Sequence, residues 1–208
     1  MKAVDRLLAE RSESISRVLV GGLFLALAVR FGRDFLETHR VTDLLLLVGE
    51  TLVVILTCTR RPPQVVDRRT IARLITALSI LAPLLVRPSS AIPLISEAAA
   101  TAIAAFGLAI VVGGKMSLRR SFGMLPANRG VMVGGLYRFV RHPIYMGYLL
   151  SHLPFLAAHP SAWNLLVLAI GDVALIVRAF YEEKTLSQDP QYVRYCESVR
   201  WRLVPGIC

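Results

Sequence analysis

The chain has 208 residues, 55% of them hydrophobic, with a formal net charge of +10 and a mean hydropathy of +0.58. Soluble domains sit nearer ~45–50% apolar, so this composition argues against a soluble globular protein. The basic residues cluster between apolar blocks rather than among aromatics, which argues against a nucleic-acid platform and for membrane-flanking anchors.

In chain order, six apolar segments can be drawn: Ile15–Val29, Leu44–Thr57, Ile71–Val86, Ala91–Val112, Pro143–Ala158 and Ala162–Tyr181. The first is read as a retained span, because acidic residues precede it and no small-residue cleavage site follows. Lipid offers backbone groups no water, so helix is the only plausible state for each block. The fold class expected is therefore all-α, a polytopic membrane protein with about five or six transmembrane helices. Gly21-Gly22 and Ala98-Ala99-Ala100 are candidate sites of close helix contact.

Six spans with a cytoplasmic N-terminus put every Lys and Arg except Arg30, Arg33, Arg40 and Arg87 on the cytoplasmic side. That asymmetry is a strong positive-inside signal, and both termini then face the cytoplasm. Basic residues are almost all Arg, the exceptions being Lys2, Lys115 and Lys184. The bias favours a GC-rich bacterial source, hence a bacterial cytoplasmic (inner) membrane. Cys58, Cys196 and Cys208 lack metal-ligand spacing, so no metal site is expected.

Two regions do not read as lipid-facing helix. Lys115–Arg141 is a polar connector holding Gly123, Pro126, Gly130, Gly134 and Gly135. Loops of that length are usually functional or disordered. Glu182–Cys208 is a polar tail in which Tyr192, Tyr195 and Val199 recur at helical spacing, with Trp201 as an interface anchor. The chain thus divides into N-terminal transmembrane helices, 1–114, and a C-terminal catalytic region, 115–208. The last two spans are joined only by His159, Pro160 and Ser161, a hairpin that brings Arg141–Tyr145 near Arg178–Glu183.

That convergence is the main chemical signal. Pro143 suits the first turn of a helix. The helix N-terminus and Arg141 together favour an anion. At the facing end, Glu182 and Glu183 oppose the helix dipole and are better explained by a cation they hold. An anion site beside a cation site suits a zwitterion. Asp172, three helical turns before Glu183, lies on nearly the same face and is a candidate for the acceptor path. Glu50 and Glu97 read as helix-bridging groups.

The stretch Gly134-Gly135-Leu136-Tyr137-Arg138-Phe139-Val140-Arg141-His142-Pro143-Ile144-Tyr145-Met146-Gly147 resembles the signature of isoprenylcysteine carboxyl methyltransferases and their prokaryotic relatives. Their wider superfamily includes phospholipid N-methyltransferases. Arg178, Glu182-Glu183, Leu186, Tyr192, Tyr195, Val199 and Arg202-Leu203-Val204-Pro205 follow the same family in order. The resemblance covers roughly Arg129 to Pro205. It implies S-adenosyl-L-methionine as methyl donor, in a cytoplasmic-side pocket built by the hairpin, the connector and the tail. Arg129, Gly130, Val131, Met132, Tyr137, Arg141, His142, Pro143, Ile144, Tyr145 and Glu182 would contact the cofactor. Arg178, Glu182 and Glu183 would be catalytic, and Arg178 would face the acceptor, beside the Asp172 that helical position already puts on its path. The acceptor expected is lipophilic and enters from the bilayer: an isoprenylcysteine-like carboxylate, a lipid phenol or a phospholipid amine. Membrane lipids are the other partners expected. The rival readings are a small transporter, for which no internal repeat is visible, and a non-catalytic membrane scaffold.

Overall fold

The structure, a computed structural model, describes residues 2–206 other than Arg40 and Arg68. Arg40, Arg68 and Cys208, used above, lie outside the described residues. Among the described residues seven α-helices follow in order: α1 (Lys2–Thr38), α2 (Val41–Thr59), α3 (Thr70–Leu81), α4 (Glu97–Leu118), α5 (Pro143–Ala158), α6 (Ala162–Leu186) and α7 (Pro190–Ser198). One short antiparallel ribbon pairs β1 (Val65–Val66) with β2 (Ala127–Asn128), in the register Val65 to Asn128. It ties the α2–α3 loop to the connector.

The protein is all-α. Among the described residues four helices are long and apolar enough to cross a membrane: Glu13–Glu37, Val41–Thr59, Glu97–Ser121 and Ala162–Leu186. The apolar stretch Thr70–Leu85 is shorter. So is α5, whose 16 residues span about 24 Å against a hydrocarbon core of ~30 Å. Large apolar side chains point outward along these helices, among them Val18, Leu74, Phe106, Leu153 and Leu166. In a bilayer that is the face lipid covers.

Several boundaries differ from the sequence reading. α4 starts at Glu97 rather than Ala91, because Pro93 interrupts the run and Ser96 caps the helix by accepting from the Ala99 N–H. It then continues to Leu118 and takes in Lys115, which the sequence places in the connector. α3 tightens into a 3-10 turn at Ala82–Leu85, where Pro83 sits in the first turn. The Gly21-Gly22 pair makes no close helix contact, since a Cβ at either would meet nothing within 4 Å.

The helices do not pack in chain order. α1 lies along α2, α2 along α4 and α4 along α5, whereas α6 packs chiefly along α3. Consecutive α5 and α6 meet only sparingly. The α4–α5 seam is the tightest. A Cβ on Gly147 would sit 2.6 Å from the Gly107 carbonyl oxygen and 2.9 Å from the Val111 nitrogen. α6 is seated on α3 at Gly171, where a Cβ would lie 3.2 Å from Pro83 Cδ. With α5 drawn to one side and α6 to the other, a space opens between them.

Because helix directions alternate, one end of the bundle gathers Glu13, Arg17, Arg60, Arg61, Arg129, Arg141 and Arg202. The opposite end is closed by Asn164, fully buried, which accepts from the Arg87 N–H at 3.0 Å and donates to the Arg87 carbonyl at 2.8 Å.

The α4–α5 seam gives a direct test. Gly147→Ala must displace backbone, so it should cost about 1–3 kcal/mol and lower the melting temperature in detergent. Gly134→Ala, which meets open space, should leave it unchanged. An unshifted melting temperature for Gly147→Ala would mean that the two helices are not seated this closely.

Candidate active site

At the basic end the N-terminus of α5 faces the C-terminal turn of α6. His142 precedes Pro143, the first residue of α5. Its ring stacks on Tyr145 at 5.3 Å between centroids and 8° between planes. Its Nε2 is 3.2 Å from Glu183 Oε1 and its Nδ1 is 3.8 Å from Glu182 Oε2. The Tyr145 hydroxyl donates to Glu182 Oε1. One turn back along α6, Arg178 lies 3.3 Å from the same oxygen, off the angle of a hydrogen bond. Its guanidinium covers the Tyr145 ring at 5.3 Å and donates to the Met124 carbonyl at 2.5 Å.

The tail docks on this clamp. The Arg141 and His142 N–H groups donate to the Trp201 and Arg202 carbonyls, each at 2.9 Å. Arg202 Nε donates to Glu183 Oε2 at 3.0 Å. α7, capped by Asp189, buries Tyr192, Tyr195 and Val199 against Tyr137, as the helical spacing predicts. The Tyr195 hydroxyl donates to the Tyr137 carbonyl at 2.6 Å. Burial pushes the Tyr137, Tyr192 and Tyr195 hydroxyls above the ordinary phenol range. All three are therefore neutral donors at any physiological pH.

The connector closes the opposite wall. Gly130 adopts φ +101°, a conformation that side-chain-bearing residues rarely take. That turn carries Val131 and Met132 past the site. Beside it Arg129 is buried, held by Glu13 of α1 at 3.2 Å and donating to the Arg61 carbonyl. Glu13 also accepts from Arg60 at 2.7 Å. Burial lowers the Arg129 pKa, and the Glu13 carboxylate works against that loss.

These walls surround a cavity of about 660 Å3, the size of a small-molecule site. It runs from this polar end into the helix bundle. Eleven residues expected at the site line it: Arg129, Gly130, Val131, Met132, Tyr137, Arg141, His142, Ile144, Tyr145, Arg178 and Glu182.

Three do not. Pro143 is buried behind the wall. Glu183 is outside the lining residues, and the cation expected beside it is the chain's own: Arg141 at 3.1 Å, Arg202 and His142. Asp172 is also outside, its carboxylate taken up by His152 Nδ1 at 2.6 Å; it is His152 that reaches the cavity. Arg141 is likewise committed internally. Burial disfavours its charge, but the Glu183 carboxylate outweighs that and raises its pKa. Its Nη2 donates to the Arg200 carbonyl at 2.9 Å. The anion it was expected to attract from outside is thus replaced by Glu183.

Sequence reading missed other lining residues. Tyr192 and Tyr195, read as a helical repeat in the tail and given no contact with the cofactor, form an aromatic wall of the cavity. Lys115 also lines it; it depends on a partner more than 60 residues away in sequence.

The pocket suits the cofactor that the sequence resemblance implies. Glu182 offers a carboxylate to a cationic group. The tyrosines offer flat apolar faces to a heteroaromatic ring. The Tyr192 hydroxyl, buried beside Cys196, has no well-formed hydrogen bond of its own.

The sequence model of the phospholipid methyltransferase family matches residues 95–189. That segment is just under half of the chain and carries α4, the connector, α5 and α6. No curated protein matches the sequence. Fold and match together describe a polytopic helical membrane protein similar to methyltransferases that act on lipid-related substrates.

Glu183 is the hinge pin of this end. Removing one member of a buried charge cluster costs roughly 3–5 kcal/mol. Glu183→Ala should therefore speed amide exchange across residues 190–204 by at least about tenfold, while the amides of α4 keep their protection. Unchanged exchange in the tail would show that backbone contacts alone hold it.

Proposed function

We propose that this protein transfers a methyl group from S-adenosyl-L-methionine to a lipophilic acceptor that enters its cavity from the bilayer. The observation that carries the reading is the coincidence of two sets. The residues that the sequence resemblance assigns to the cofactor are, with few exceptions, the residues lining one end of one cavity. The same cavity then continues among apolar side chains, including Phe24, Leu108, Leu168 and Leu175. Such a shape suits a polar cofactor at one mouth and an apolar chain behind it.

When bound, the cofactor supplies a methyl carbon already activated by a positive sulfur. The chain's own task is to bind, to orient and to exclude water. Glu182 holds a cationic part of the cofactor while Tyr145 and Arg178 fix its carboxylate in place. Tyr137, Tyr192 and Tyr195 close over the ring system. Arg178 donates to Met124 and Ser79, has its Nε beside Glu182 and lines the cavity, where it positions the acceptor. The basic end faces the cytoplasm of a bacterial inner membrane. The acceptor is an isoprenylcysteine-like carboxylate or a lipid phenol; a phospholipid amine is the second reading, favoured by the family match over residues 95–189.

Calorimetric titration of the detergent-purified protein with S-adenosylhomocysteine tests the core of this reading. Saturable binding is expected. Glu182→Gln should weaken it roughly tenfold or more, the effect of losing a charge-assisted hydrogen bond, with the melting temperature confirming that the variant is folded. Absence of binding by folded wild-type protein would remove the methyltransferase reading and bring the transporter and scaffold readings forward.

A further inference from the structure

Lys115 is the largest of the fully buried side chains described, with 1% exposure. It lies three residues from the C-terminus of α4, close to the polar end of the bundle. A lysine so placed would ordinarily extend its stem toward water. Here the helix geometry tilts its Cβ the other way, toward the N-terminus of α4 and into the membrane layer. The ammonium reaches α2, where it donates to the Gly49 carbonyl at 3.1 Å. Gly49 leaves it room, for a Cβ there would stand 3.4 Å from Nζ.

The neighbouring Glu50 is also buried, at 7% exposure. Its Oε1 is 3.9 Å from Lys115 Nζ, near enough for attraction and too far for a hydrogen bond. Its Oε2 is buried without any hydrogen-bond partner. Both residues line the cavity. A stretched ion pair with a vacant acceptor oxygen, inside a membrane layer, is costly unless something completes it.

The pair stands beside the proposed reaction site. Lys115 Nζ lies 5.7 Å from the centre of the Tyr148 ring, one helical turn below Tyr145, which Arg178 covers. Lys115 and Arg178 thus approach the same face of α5, one from α4 and the other from α6.

We propose that Lys115 and Glu50 form a subsite for the hydroxyl group of a lipophilic acceptor, a phenol or an alcohol. A hydroxyl accepts from a further N–H of the Lys115 ammonium and donates to Glu50 Oε2, so it completes the stretched pair with one group. An ammonium would gain Glu50 but meet Lys115 as a like charge. A carboxylate would gain Lys115 but meet Glu50. The inference deepens the proposed function and rests on the cavity being the acceptor's. Lys115 and Glu50 act as positioning and selecting residues, apart from the residues that hold the cofactor.

The test uses three ligands of similar chain length, 4-nonylphenol, decanoate and decylamine. Each is titrated into the detergent-purified full chain, with and without S-adenosylhomocysteine. Lys115→Met alone would strand a buried carboxylate, so the comparison variant is Lys115→Met with Glu50→Gln, which removes both charges at similar volume. Nonylphenol should bind at least tenfold more tightly than either charged ligand, and the double variant should lose at least tenfold for nonylphenol only. S-adenosylhomocysteine affinity should be the same in both proteins. Decanoate or decylamine binding as tightly as nonylphenol would overturn the proposal, as would a double variant that binds nonylphenol like the wild type. Failure of S-adenosylhomocysteine to bind wild-type protein would strike the cofactor reading instead, and the ligand ranking would still decide the subsite.

Discussion

The structure depends on a clamp of charge at one end of the α5–α6 hairpin. Glu182 and Glu183 stand side by side in the last turns of α6, where the helix dipole disfavours them. They are held there by His142, Arg141, Arg202 and Arg178. The two carboxylates divide the work. Glu183 takes Arg141, His142 and Arg202 and so fastens the tail. Glu182 takes Tyr145 and Arg178 and so faces the cavity. Adjacent residues on a helix point about 100° apart, and that angle separates the carboxylate that holds the tail from the one that lines the cavity.

The clamp matters because little else joins α5 to α6. They are linked by a short turn at the opposite end and bridged between by His152 and Asp172 at 2.6 Å. Elsewhere each is committed to another helix. Gly107, Gly114 and Gly147 let α4 and α5 approach to backbone contact, while Gly171 seats α6 against Ala82 and Pro83. Small residues thus decide where the bundle is dense, and by exclusion where it is open. The cavity is a consequence of that division, and the clamp keeps its polar mouth from spreading.

The hairpin and its clamp were legible in the sequence because their determinants are local. A short turn fixes the register of two helices, and the Arg141–Gly147 and Arg178–Glu183 stretches then meet by length alone. α7 was legible for the same reason, through the spacing of Tyr192, Tyr195 and Val199. The distribution of roles between Glu182 and Glu183 was not, because it depends on the rotation of α6 against α3. Nor was the fate of Asp172, since helical periodicity places it near the face of Glu183, and Glu183 itself turns away from the cavity. Lys115 misled in an instructive way. Counted as one more basic anchor at a helix end, it is a buried group whose partner, the Gly49 carbonyl, lies across the bundle on α2.

The first helices are part of the site although the family match begins only at residue 95. Glu13 of α1 gathers Arg17, Arg60 and Arg129, and Arg129 is the residue before the Gly130 turn. The β1–β2 ribbon ties the same loop to the segment between α2 and α3. Three guanidiniums around one carboxylate leave an excess of positive charge, tolerable only where the cluster meets water or anionic lipid headgroups at the bundle's end. α2 contributes from the other direction, through Glu50 and the Gly49 carbonyl. The matched segment therefore supplies the clamp apart from Arg202, and the aromatic neighbour Tyr137. The helices before it fix the connector at one end of the cavity and set the polarity of its interior.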